Sequence, residues 1–195
     1  MPVSDTAPPP TRAERLKRAT NETHERLDQC IMGKGIFDSR ALFACFLRVQ
    51  HRLHARIDAL YDDPALQAPF PELPSRRRLA RIERDLADLG SAAPIDAPAR
   101  APLPAWPTAL GWLYVVEGSA LGGAVIYKMA ARLGLDQQFG ASHLAPPSHG
   151  VAAHWRHFTA ALNALPLTDH EEQQVVAGAR AAFSAVGHYV SEEFA

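Results

Sequence analysis

Along this chain, apolar residues recur at intervals of three and four, the spacing of one face of an α-helix. The first run is Leu16, Thr20, Thr23, Leu27, Cys30 and Ile31. It follows Thr11-Arg12-Ala13-Glu14, a capping-box spacing in which the Thr hydroxyl and the Glu carboxylate each satisfy the other's backbone N–H. The spacing predicts a first helix reaching about Met32. Ser39 predicts the start of a second, charge-rich helix to about Tyr61, with Leu42, Phe46, Val49, Leu53, Ile57 and Leu60 inward. A third is predicted from Ser75 through Leu79, Ile82, Leu86 and Leu89 to Gly90, and Ser91 to Pro107 reads as a connector. A long fourth helix then spans Thr108 to about Leu133 before Gly134, and Asp136 to His143 allows a short turn. Ser148 opens a helix to about Leu165, and the capping box Thr168-Asp169-His170-Glu171 starts a last one. No segment alternates with period two and no repeat has a fixed length. The expected fold is all-α, a single-domain multi-helix bundle without sheet, over residues 11–195 after a flexible leader from Met1 to Pro10.

Composition narrows the function classes. The 195 residues carry 20 Lys+Arg against 21 Asp+Glu, a formal net charge of −1, so no global field draws the chain to nucleic acid or an anionic membrane. A domain of this length buries roughly 70% of its unfolded surface and folds without disulfides or structural metal. Cys30 and Cys45 lie in apolar helical patterns and are expected to be reduced and buried. The leader lacks a basic and an apolar signal region, and the uncharged stretch Ala101 to Val116 opens with prolines and closes at Glu117. It therefore suits a core helix better than a membrane span, and a cytoplasmic monomer is expected.

The fourth helix holds Gly111, Gly118, Gly122 and Gly123. At 100° per residue the first three fall within roughly 40° of one another, a strip of bare backbone. Each interior glycine costs about 1 kcal/mol relative to alanine, so some close approach must offset the loss. Two readings fit: tight helix-on-helix packing, or a flat ligand lying against the helix. His24 sits at the edge of the first helix's apolar face and is expected to be half-buried. Asp28, one turn on, can accept a ring N–H and set the tautomer, as partners of metal-bound histidines do. Lys17 lies on the same side. The pairs His51/His54 and His154/His157 are expected on solvated faces. The run Arg76, Arg77, Arg78, Arg81 and Arg84 reads as a solvated face, an acidic docking surface, or an arginine turned inward to a polar network. Neither E-x-x-H nor H-E-x-x-H occurs, which removes the usual di-iron carboxylate bundle and the common zinc protease helix.

Leu16-Lys17-Arg18-Ala19-Thr20-Asn21-Glu22-Thr23-His24 resembles the proximal-helix motif of haem oxygenases. Tyr114-Val-Val-Glu-Gly-Ser-Ala-Leu-Gly-Gly123 resembles their distal, glycine-kinked helix. Order, separation and length agree, and the resemblance covers nearly the whole chain, closest to the bacterial branch. It implies His24 as the axial iron ligand with Asp28 behind it, Gly118, Ser119 and Gly122 as the distal catalytic segment, and Thr20, Tyr114, Gly123 and Phe183 lining the haem. Lys17 matches a propionate-contacting lysine of animal relatives. Ser119 stands where animal members have an aspartate that organises distal water, so a water network here leans on backbone carbonyls, Ser119 or more distant groups such as Arg78. Met32 and Met129 stand where some bacterial relatives have propionate-holding lysines. Trp155 and Thr159 replace basic residues of the fifth helix, where Arg156 is a substitute.

The implied activity is cleavage of haem, at once substrate and prosthetic group, to biliverdin, carbon monoxide and ferrous iron. It uses O2 and electrons from a ferredoxin, flavodoxin or flavin reductase, and a bacterial phytochrome is a conceivable biliverdin acceptor. The alternatives are a haem-binding or haem-transfer protein without turnover, and a helical bundle acting on another cofactor with His24 structural.

Overall fold

The structure, a computed structural model, describes residues 9–95 and 104–195. Most of the leader and the middle of the expected connector lie outside these residues. The helices are α1 (Arg12–Gly33), α2 (Arg40–Ile57), a one-turn α3 (Pro64–Gln67), α4 (Leu79–Asp88), α5 (Trp106–Ala130), α6 (Val151–Ala164) and α7 (Asp169–Glu193). Among the described residues there is no strand, and the fold is all-α as expected. The glycine-rich helix is thus α5, because the short α3 precedes it.

Both capping boxes form. The Thr11 hydroxyl accepts the Glu14 N–H and the Glu14 carboxylate accepts the Thr11 N–H at 2.8 Å; Thr168 and Glu171 repeat the exchange at the start of α7. Two other starts differ from expectation. Ser75 does not open α4, because Pro74 lies in a 3-10 turn and the Ser75 hydroxyl donates to the Glu72 carbonyl at 2.7 Å; α4 begins four residues later, at Leu79. Ser148 does not open α6, because Gly150, with φ of 80°, occupies the cap. The second helix loses α geometry at Ile57 and continues as a 3-10 turn through Asp62. Gly90 and Gly134 end their helices with φ of 65° and 70°, a conformation that favours glycine.

The tightest crossing joins α5 to α7. A Cβ on Gly111 would overlap the Val175 carbonyl and the Ala179 amide, and one on Gly178 would overlap the Thr108 carbonyl. The helices therefore touch backbone to backbone. Around them Leu16, Leu110, Leu113, Phe158, Val175 and Ala179 form the main core, and Phe43, Leu47, Ile82 and Leu86 form a second between α2 and α4. The segment Trp106–Leu133 is long and apolar enough to cross a membrane, but 56% of its most apolar window is buried inside the fold. Its apolar character is accounted for by the core.

α1 also lies on α7 and runs in the same direction: Arg12 meets Glu172 at one end, and His24 meets Phe183 further along. Arg12, 5% exposed, donates to the carbonyls of Leu162 and Leu165 and to Glu172, tying together the start of α1, the end of α6 and the start of α7. The cysteines depart from expectation. Cys30 is exposed and Cys45 only partly buried, because α1 turns Cys30 away from α7 and Cys45 lies beside Arg48.

The backbone contact predicts opposite signs for one kind of substitution. Gly111→Ala or Gly178→Ala should destabilise by about 1–3 kcal/mol through overpacking. Gly187→Ala, where a Cβ meets nothing within 4 Å, should stabilise by up to about 1 kcal/mol. Guanidinium unfolding of the three variants measures this, and similar small shifts in all three would contradict the close approach.

Candidate functional site

His24 projects from α1 with Nδ1 3.2 Å from Asp28 Oδ2. The carboxylate makes Nδ1–H the donor and leaves Nε2 with its lone pair free. The ring stands edge-on to Phe183 of α7, centroids 5.7 Å apart at 78°. Phe183 is buried, but the His24 side chain is 55% exposed, more open than expected, because among the described residues α1 meets α7 through Leu16 and the edge of the His24 ring rather than around it. Lys17 is exposed on the same helix. Thr20 is buried, and its hydroxyl donates to the Leu16 carbonyl at 2.8 Å, so it packs rather than offering a polar contact.

On α5 the glycine strip divides. Gly111 serves the α7 crossing, whereas a Cβ on Gly122 would meet nothing within 4 Å and one on Gly118 only the Trp155 ring, at 3.4 Å. Val125 continues the same face, within roughly 60° of Gly122, and is 60% exposed. The packing reading therefore holds at Gly111, and at Gly122 the strip faces open space. Gly123 points elsewhere, toward Leu144 at 3.3 Å. The Ser119 hydroxyl donates to the Val116 carbonyl at 2.7 Å, leaving its oxygen only as an acceptor. Tyr114 is buried beside Trp155, centroids 5.3 Å apart, and burial pushes its phenol pKa up.

α1 and α5 both pack on α7 without an extended contact with each other. An imidazole with a free nitrogen, an apolar surface without side chains and an aromatic edge suit a flat apolar group with an axial metal position. Among the described residues no three metal-ligating side chains cluster, so a metal held here would arrive inside its own chelate. Haem meets these requirements.

The heme oxygenase family profile matches residues 11–192. The chain belongs to the haem oxygenase family. It is 42% identical over 185 residues to the heme oxygenase PigA of Pseudomonas aeruginosa, covering 94% of this chain and 93% of that one. A heme oxygenase of Xanthomonas campestris pv. campestris is 32% identical over 155 residues, covering 78% of this chain and 90% of that one. The crystal structure of the NO- and CO-bound heme oxygenase of Neisseria meningitidis superposes with a TM-score of 0.89 at 38% identity, covering 94% of this chain and 92% of that one.

This haem oxygenase carries a buried polar cluster beside its glycine helix that the sequence pattern did not reveal. Glu117, immediately before Gly118, is 1% exposed; its Oε2 accepts from Arg76 Nη1 at 2.8 Å and lies 3.3 Å from His154 Nε2. Burial alone would raise its pKa, but the His154 hydrogen bond and the charges of Arg78 and Arg76 outweigh it and hold the carboxyl below its usual range. A lone acid in an apolar run was the available signal. His51 and His54 are buried, not solvated, because α4 covers that face of α2; His154 is mostly buried on Glu117, and His157 alone of the four is exposed. Of the arginine run, Arg76 turns inward and Arg77 is held by Asp58 and Asp62. His143 binds Asp85 through Nδ1 at 2.7 Å, and Asp85 also accepts the N–H groups of Ser142 and His143. Four buried atoms of this region, His54 Nδ1, Tyr61 Oη, Glu117 Oε1 and His143 Nε2, have no hydrogen-bond partner among the described residues, and Arg78 is within electrostatic reach of all four residues.

Burial holds the pKa of His54 well below its ordinary 6.5, and burial also lowers that of His143 despite the pull of Asp85. Unfolded, both bind a proton below that value; folded, both stay neutral. Stability is therefore full above pH 6.5 and is lost as pH falls from 6.5 toward the folded values. The slope is at most about 1.4 kcal/mol per pH unit for each histidine. Chemical denaturation between pH 7.5 and about 5.5 should show the loss, and His54→Gln should flatten it relative to its own value at pH 7.5; an unchanged slope would contradict the assignment.

Proposed function

We propose that this haem oxygenase converts haem, its substrate, to biliverdin, carbon monoxide and ferrous iron with O2 and electrons from a separate donor such as a ferredoxin, flavodoxin or flavin reductase. The observation that carries this reading is the Asp28-oriented imidazole of His24 on α1 combined with the bare Gly118–Gly122 surface on α5. The iron of bound haem supplies the oxygen activation. The chain supplies binding and orientation. His24 Nε2 is the free nitrogen that would hold the iron, and Asp28 fixes the orientation of the ring. Gly118 and Gly122 keep side chains off the opposite face, while Val125 on that face and Phe183 beside His24 supply apolar walls.

Lys17 is the cation on the His24 helix for a propionate. Met32 and Met129 cannot serve, being uncharged. Protons on the distal side come from the cluster beside α5, because the Ser119 hydroxyl proton is engaged by Val116. Glu117 Oε1 and Tyr61 Oη, both buried without hydrogen-bond partners among the described residues and close to Arg78, are suited to hold water there.

Haem titration should give a Soret band that His24→Ala abolishes and Asp28→Asn weakens by about 10–100-fold in affinity. Ascorbate under air with catalase should then produce biliverdin absorption from the unaltered protein. Stable ferrous haem would contradict turnover, and absence of a Soret band would contradict the site.

A further inference from the structure

A cleft of about 230 Å3 opens between the start of α4 and the turn that leads into α6. Ser75, Arg76, Arg78, Arg81, Ser148 and His154 contribute to its wall, and no carboxylate lines it. Arg76 and Arg77 are paired with Glu117 and with Asp58 and Asp62. Arg78 and Arg81 have neither an ion pair nor a side-chain hydrogen bond among the described residues. Arg78 is half-buried; its charge and that of Arg76 both act on Glu117, but only Arg76 and His154 reach the carboxylate directly. Arg78 is also the N-cap of α4, and no side chain caps that helix, so its first amides add partial positive charge to the same place. α6, which follows Ser148, likewise starts without a side-chain cap.

We propose that this cleft is a binding site for a small oxyanion, a phosphate group either free or carried on a small monoester. Two guanidinium groups three residues apart on the cleft wall, with the partial positive charge of the uncapped start of α4 behind them, suit a tetrahedral dianion. An ordinary pair of surface arginines would sit on a convex face beside carboxylates; here half-buried Arg78 and exposed Arg81 both line a concave wall without one. The recess favours a small anion over an acidic protein surface, which would engage the exposed Arg81 and Arg84 equally. Bound phosphate would join the start of α4 to the turn before α6.

The test is calorimetric titration of the full chain with inorganic phosphate and with glycerol phosphate, at ionic strength held constant with sodium chloride. Saturable one-to-one binding in the millimolar range or tighter is expected. Arg81→Gln should weaken it by about tenfold or more, the loss of one charge-assisted hydrogen bond. Arg84→Gln, on the same helix but outside the cleft, should leave it unchanged, and both variants should keep the haem titration of the unaltered protein. No saturable heat, or equal losses in the two variants, would overturn the proposal. So would binding to vesicles of anionic phospholipid that glycerol phosphate does not displace, or a donor protein weakened alike by both variants while phosphate does not bind.

Discussion

Where α5 crosses α7, Gly111 sits against the Val175 carbonyl and the Ala179 amide, and Gly178 sits against the Thr108 carbonyl. No side chain can be placed between the two backbones, so the separation and angle of these helices leave little latitude. α1 is then laid along the same α7, which brings His24 to Phe183. The position of the imidazole and the position of the bare strip are therefore both referred to one rigid helix. One stretch of small residues does two tasks: its first turn allows the crossing, and the next turns leave Gly118 facing only the Trp155 ring and Gly122 uncovered.

The second constraint is electrostatic. Burying the Arg76–Glu117 pair carries a desolvation penalty that its Coulomb attraction only offsets when the geometry is good, and apolar residues would often be as stable. Here Arg76 also donates to the His154 carbonyl at 3.2 Å, so the pair joins the 3-10 turn before α4, α5 and α6 at the residue preceding Gly118. Burial also accounts for the neutral histidines nearby: it is the main force that holds His54 and His143 unprotonated, and the charge of Arg78 acts in the same direction.

Much of the fold was legible because its signals are local. The two capping boxes set the starts of α1 and α7, and Gly90 and Gly134 the ends of their helices, since each depends on a few consecutive residues. Ser75 and Ser148 misled for a local reason too: neighbouring Pro74 and Gly150 took the backbone out of the cap geometry that a serine would otherwise signal. Within the site, the relation of His24 to Asp28 was readable from i,i+4 spacing. The Glu117 cluster was not, because Arg76 is 41 residues away and His154 meets Glu117 only through tertiary packing. Likewise the pattern could not divide the glycine strip between α7 and open space, or turn Gly123 toward Leu144; that depends on which helix lies alongside.

The central claim is that a flat ligand lies between His24 and the uncovered backbone at Gly122. Because a Cβ at Gly122 meets nothing within 4 Å, a large side chain there need not disturb the protein itself. Haem titration of Gly122→Phe, with circular dichroism and thermal melting as controls on the fold, separates the two effects. The account predicts unchanged folding and a loss of the Soret-absorbing complex; haem bound with unaltered affinity and spectrum by that variant would contradict it.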